Sequence, residues 1–264
     1  MPVRRPTLRL PGLLRRGLLL TSLLVALPAP ALADALADAR SAQVAVYAIV
    51  RDFHMETLLA GDPKRTAKLR TAVAAADKLN AALADTGNAE ADAAFANARR
   101  EWAAFRKLVL ANNVAEDGYT DENLVGDIYI VADRLDAALA GGLKALEKTP
   151  GKAAEIQAIN VLIQRTAAAY TKRSSQMDPA IGAEDDFDIA VATKKIDGML
   201  QAAQQHTAAD KQAAEAMKKV GMKWTFIRTS LLNYNEKSVP YLVDRYAEQV
   251  AGDLGAITAG LAKR

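Results

Sequence analysis

The stretch Leu124–Leu146, LVGDIYIVADRLDAALAGGLKAL, decides how this chain folds. Its apolar residues Leu124, Ile128, Val131, Leu135, Leu139 and Leu146 recur at intervals of four, three, four, four and seven. Residues three and four apart lie above one another on a helix, so this spacing writes one continuous apolar stripe on a helical face. The same period extends in both directions. Toward the N-terminus it predicts a helix over 34–60 carrying Leu36, Val46, Val50, Phe53 and Leu58. Gly61-Asp62-Pro63 stops that helix and starts another over 63–85, with Asp62 as the cap and Pro63 at the first helical position. Thr86-Gly87-Asn88 closes the second helix. A third carries Phe95, Trp102, Phe105 and Val109 and frays near Asn112-Asn113, and the acidic segment 116–123 reads as a loop.

Beyond the opening stretch, Thr149-Pro150-Gly151 is the strongest internal punctuation and marks a joint. A fifth helix follows with Ile156, Ile159, Ile163 and Tyr170. After a polar loop over 176–186, the pattern predicts a sixth helix over 187–205 and a seventh over 208–233. Ser238-Val239-Pro240 introduces an eighth with Val243, Tyr246, Val250, Leu254, Ile257 and Leu261. Alanine is abundant, aromatics make up 5% of the chain and runs of β-branched residues are nearly absent, which favours closely packed helices.

The eight predicted helices divide into four and four, and the halves resemble each other. Trp102-x-x-Phe105-Arg106 matches Trp224-x-x-Ile227-Arg228, Val109-Leu110 matches Leu231-Leu232, and Asn113 matches Asn235. Tyr129-Ile130-Val131-Ala132-Asp133-Arg134 matches Tyr241-Leu242-Val243-Asp244-Arg245 with one gap, and Gln43 and Arg51 match Gln157 and Arg165 at the same spacing of eight. The matches come in the same order along the chain. The expected fold is therefore all-α, two tandem, duplicated antiparallel four-helix bundle units over 34–148 and 149–264, each about 30–40 Å long. The first and fifth helices then occupy equivalent places.

The first 33 residues have the form of a signal peptide. Arg4, Arg5, Arg9, Arg15 and Arg16 precede an apolar run over 17–27, and Ala31-Leu32-Ala33 carries the small-x-small pattern of a cleavage site. The run is too short to span a bilayer. Export by the general secretory route to the periplasm is the expectation, with the Arg15-Arg16 pair leaving twin-arginine export as the alternative. Cleavage after Ala33 removes five arginines and leaves 29 basic against 31 acidic residues, so the mature chain gives no reason to expect nucleic acid as a partner. No segment of the mature chain is apolar enough to anchor it in a membrane. No cysteine occurs, which removes disulfides, lipid attachment at a lipobox and thiolate metal sites.

Catalytic and metal signatures are missing. The two histidines, His54 and His206, lie in different halves, and neither has a helical His or Glu partner at ligand spacing. No Gly-x-Ser-x-Gly elbow, phosphate loop or dinucleotide fingerprint is present, and no cofactor is expected. Glu184, Asp185, Asp186 and Asp188 lack the spacing of a calcium loop and read as a cap for the sixth helix. The candidate site residues are polar positions on the first and fifth helices. Gln43, Tyr47, Arg51 and His54 are spaced four, four and three and share one face, while Gln157, Asn160 and Gln164 share another with Arg165 at its margin. Arginine in a cavity or at a subunit face suits bidentate capture of a small anion. The competing reading is that these groups are solvated or pair with neighbouring helices. Trp102 and Trp224 read as core anchors with an arginine four residues on across the ring.

The segment Ile159-Asn160-Val161-Leu162-Ile163-Gln164-Arg165, with Tyr170 and Arg173 beyond it, resembles the first-helix signature of the type IV pili methyl-accepting chemotaxis transducer N-terminal domain family. That family shares its four-helix sensor module with nitrate-sensing histidine kinases. The Gln-Arg pair falls one residue early here and a glycine of the pattern is absent. The resemblance implies a sensor-like module in each half, with Asn160 and Arg165 on the ligand-facing helix and Arg51 as the equivalent in the first half. It also implies a departure, because family members that signal carry transmembrane and output segments. The functional expectation is a non-enzymatic periplasmic protein that binds a small anionic ligand or serves a membrane sensor of the envelope, with its oligomeric state open. The alternative is an adaptor in an envelope complex that docks through an apolar face of the eighth helix.

Overall fold

The computed structural model describes residues 29–83, 85–147, 151–175, 187–234 and 238–262. Most of the segment read as a signal peptide, the joint at 148–150, and Glu184, Asp185 and Asp186 lie outside the described residues. The described chain is all-α. Its elements are α1 (Ala29–Leu58), α2 (Pro63–Ala82), α3 (Ala89–Val109), α4 (Val114–Asp117), α5 (Glu122–Leu146), α6 (Lys152–Ser175), α7 (Ile189–Thr207), α8 (Lys211–Leu232) and α9 (Pro240–Ala262). Eight of these correspond to the predicted helices. The addition is α4, a single turn at the edge of the segment read as loop, ending at Gly118 in the left-handed conformation (φ +76°) that favours glycine.

The starts of the helices follow from local chemistry. The Asp62 side chain accepts from the amides of Lys64 and Arg65 at 3.0 and 3.2 Å, with Pro63 at the first helical position. Asn88, Asp121, Asp188 and Asp210 cap α3, α5, α7 and α8 in the same way. Gly61 turns the chain between α1 and α2 at φ +73°, and a Cβ there would collide with Ala115.

Helices packed side by side within each group run antiparallel, as three pairs show. Gly221 of α8 faces Gln204 of α7 while Arg228 faces Asp197. Along α6 and α9, Asn160 faces Ala251 and Gln164 faces Ala247. Along α1 and α5, Gln43 meets Asp136 and Tyr47 meets Asp133. Helices α1, α2, α3 and α5 enclose one apolar cluster that includes Phe53, Leu69, Phe95, Phe105, Ile128 and Leu135. Helices α6 to α9 enclose a second, including Ile163, Ile196, Met217, Trp224, Ile227 and Leu254. Each large apolar side chain buried in these clusters contributes about 1.5–3 kcal/mol.

The two groups of helices meet through α1 and α6, with α9 also touching α1. Arg40 of α1 meets Gln157, Arg51 meets Gln164 and His54 meets Ser175, so the numbers rise together and the two helices are parallel. Both are enclosed on almost every side. All residues from 49 to 56 on α1 and from 166 to 171 on α6 are buried.

The tryptophans repeat one arrangement. The indole N–H of Trp102 donates to Asp77 at 2.8 Å, and that of Trp224 donates to Asp197 at 2.8 Å. Arg106 and Arg228 pair with the same two aspartates at 3.1 and 2.8 Å. Each arginine thus meets the carboxylate that its tryptophan meets, one helix back in sequence. Both tryptophans are buried among apolar neighbours, as core anchors.

Candidate functional site

The polar positions singled out on α1 and α6 lie at the seam between the two groups of helices or directly behind it. Gln43 donates to Asp136 Oδ1 at 2.8 Å. Tyr47 donates to Asp133 Oδ1 at 2.7 Å, and Arg165 reaches Asp133 Oδ2 at 2.9 Å from the other side. The Arg165 guanidinium also sits against two rings, 5.3 Å from that of Tyr47 and 5.0 Å from that of Phe187. Burial raises the pKa of the Asp136 carboxyl above its ordinary value, opposed by the Gln43 hydrogen bond and by Arg165. Burial, reinforced by the negative charge of Asp136, raises that of the Tyr47 phenol as well.

One helical turn on, Arg51 is 2% exposed. It donates to Gln164 Oε1, lies 2.9 Å from Asp244 Oδ1 and 3.6 Å from Asp52 Oδ1. Arg65 pairs with Asp244 Oδ2 at 2.7 Å. Lys68 pairs with Asp52 at 3.1 Å and Glu248 at 3.0 Å. Three cations therefore face three carboxylates at the meeting of α1, α2 and α9. Such matching is needed, because an uncompensated charge at this depth costs several kcal/mol. Burial still holds the Asp52 carboxyl above its ordinary pKa, with Arg51 and Lys68 pulling the other way.

The remaining candidates are bound within the protein. Gln157 donates to the carbonyl of Arg40 across the seam. Asn160 and Gln164 face α9 and donate to the carbonyls of Ala251 and Ala247 at 3.2 and 3.0 Å. The structure thus brings Arg51 and Gln164 together. It joins Gln43 to Arg165 through the Asp133–Asp136 corner, sets Gln43 and Gln157 on the walls of one smaller cavity of about 200 Å³, and turns Asn160 toward α9. Sequence reading missed the acids that receive the arginines. Asp133 and Asp244 stand in the repeated Tyr-to-Arg segments, but nothing in a single sequence says which distant helix each one faces.

A cavity of about 750 Å³ opens at the end of the seam where α1 and α6 finish and α5 begins. His54, Thr57, Thr120, Asn123, Lys172 and Ser175 are among its lining residues. His54 is 1% exposed. Its ring stacks on Tyr129 at 5.8 Å and meets the edge of Phe53 at 5.3 Å. Ser175 Oγ donates to the carbonyl of Lys172 at 2.8 Å and lies 3.3 Å from His54 Nδ1. With its proton used on that carbonyl, the hydroxyl is set to accept from Nδ1–H, which favours the Nδ1-protonated tautomer. Burial, with Lys172 nearby, lowers the imidazole pKa to about 3, so it is neutral at physiological pH. Lys172 lies 4.5 Å over the Tyr129 ring. Thr57 and Thr120 share a hydrogen bond of 2.8 Å at the wall. Lys172 brings an ammonium group to the wall, which Asp121 and Glu122 also line, while the hydroxyl protons of Ser175 and Thr120 are taken by the Lys172 carbonyl and Asn112 Oδ1.

Among the described residues no group of three or more histidines, aspartates or glutamates is placed to hold a metal ion, and no helix is long and apolar enough to cross a membrane. No protein family, no characterised protein and no solved structure matches the chain.

Proposed function

We propose that this chain is an exported, non-enzymatic helical protein of the sensor-like kind that binds a small anionic ligand and serves a membrane sensor of the envelope. The observation that carries the reading is the cavity at the end of the seam. Its wall combines Lys172 and Ser175 from α6 with Thr57 and Thr120 from the other group of helices. Two groups of helices that share one wall offer a ligand contacts that exist only when both are in place. The resemblance of 159–165 to the chemotaxis-transducer family adds support, as does the signal-like form of residues 1–33. The same two features motivate the periplasmic assignment. Arg51 and Arg165 enter this reading as residues of the seam, since each is already engaged by an aspartate.

The test is a thermal-shift panel of nitrate, nitrite, phosphate and short carboxylates on the wild type and on Lys172→Ala. At least one anion should raise the wild-type Tm and lose that effect in the variant. A flat response across the panel sinks the anion reading. Cell fractionation checks the location, with the mature chain expected in the periplasmic fraction.

A second reading, an adaptor in an envelope complex, draws on a different surface. Met222 and Phe226 of α8 are 53% and 60% exposed, and Phe226 stacks on Tyr246 of α9 at 5.0 Å. Capture of an envelope protein that is lost in Phe226→Ser, together with no response to any anion, would favour it.

A further inference from the structure

We infer that the seam is a two-fold interface, in which each half of the chain is the partner that the other half's surface is built to fit. Arg51 of α1 reaches across to Asp244 of α9, and Arg165 of α6 reaches back to Asp133 of α5, both at 2.9 Å. The two arginines hold matched positions in the repeated pattern, since Gln43 and Arg51 precede Gln157 and Arg165 at equal spacing. The two aspartates are matched as well, each directly before an arginine in the repeated segments that begin at Tyr129 and Tyr241. Residue i of one half therefore meets residue j of the other, while j of the first meets i of the second. That reciprocity is the signature of an isologous contact, whereas head-to-tail packing would place the two arginines on unrelated groups. The parallel course of α1 and α6 fits an axis running between them.

The chemistry of the seam agrees. Each half has its own apolar cluster, the first of which also takes in Ala168 of α6. Between them lie Arg40, Tyr47, Arg51 and His54 on one side and Gln157, Gln164, Arg165 and Ser175 on the other. Surfaces that join two separately cored bodies are more polar than the interior of one body. The partner class follows: a four-helix unit of this same pattern, here supplied by the same chain.

The experiment inserts a protease site between Glu147 and Gly151 of the full chain and cleaves the folded protein. The wild-type fragments should remain one species in size-exclusion chromatography. Arg165→Asp should weaken that association at least about tenfold, a difference of about 1.4 kcal/mol. Arg165→Asp combined with Asp133→Arg should restore it, and Arg51→Asp with Asp244→Arg should show the same loss and rescue. Arg165 is partly exposed, so its reversal leaves a foldable chain, and Arg165→Gln serves as the milder companion. Far-UV circular dichroism of each uncleaved variant verifies helix content. The inference is overturned if the cleaved wild type separates or aggregates, if neither double reversal rescues, or if only one of the two pairs affects association.

Discussion

A histidine with its imidazole sealed among Phe53, Tyr129 and Ser175 is a pH-dependent element of stability. In the folded chain His54 titrates near 3, whereas an exposed imidazole titrates near 6.5. Above pH 6.5 the ring is neutral in both states and its contribution is complete. As pH falls below 6.5 the unfolded chain takes up a proton that the fold refuses. Stability then declines by roughly 1.4 kcal/mol per unit down to about pH 3. Urea midpoints at pH 7 and pH 4.5 check this. The wild type should lose more between the two than His54→Phe, and equal losses would refute it. Asp244 is the second sensitive position. Asp244→Ala leaves Arg51 buried beside Gln164 with its main carboxylate gone, and should cost about 3–5 kcal/mol by chemical denaturation. Asp197→Ala removes the acceptor of the Trp224 indole, for an expected loss of about 1–3 kcal/mol.

At the scale of the element, close approach sets the constraints. Gly142 of α5 lies against the Phe95 ring of α3, and an added Cβ would overlap it. Gly142→Ala should therefore destabilise by about 1–3 kcal/mol despite the better helix propensity of alanine, whereas Gly126→Ala, with open space around it, should not. Thermal melts of the two variants side by side check the contrast. The long helices were legible in the sequence because each shows a periodic apolar face bounded by a cap or a turn, as at Asp62-Pro63 and Asn88. The one-turn helix α4 was not, because four residues cannot display a period and Val114 alone supplies its buried contact. The candidate site was legible in part. Spacing placed Gln43, Tyr47, Arg51 and His54 on one face of α1, but spacing does not say what covers a face. The covering residues, Asp133, Gln164 and Asp244, lie 86 or more positions away. A polar stripe that reads as solvated or ligand-facing is here largely shut between helices, and charge matching at long range is what makes that tolerable.

At the scale of the whole molecule, the described chain forms two apolar clusters joined along a polar seam. The direction of its helices has a practical outcome. Because α1 and α6 are parallel while α5 and α9 run against them, the start of α1, the end of α5, the start of α6 and the end of α9 converge on one end. The cavity with His54, Lys172 and Ser175 lies at the other, about 30 Å away along α6 at 1.5 Å per residue. A dye, an affinity tag or a surface linkage attached near Ala262 would therefore hold the molecule by its far pole. The cavity, as the described residues form it, would then lie at the end away from the support.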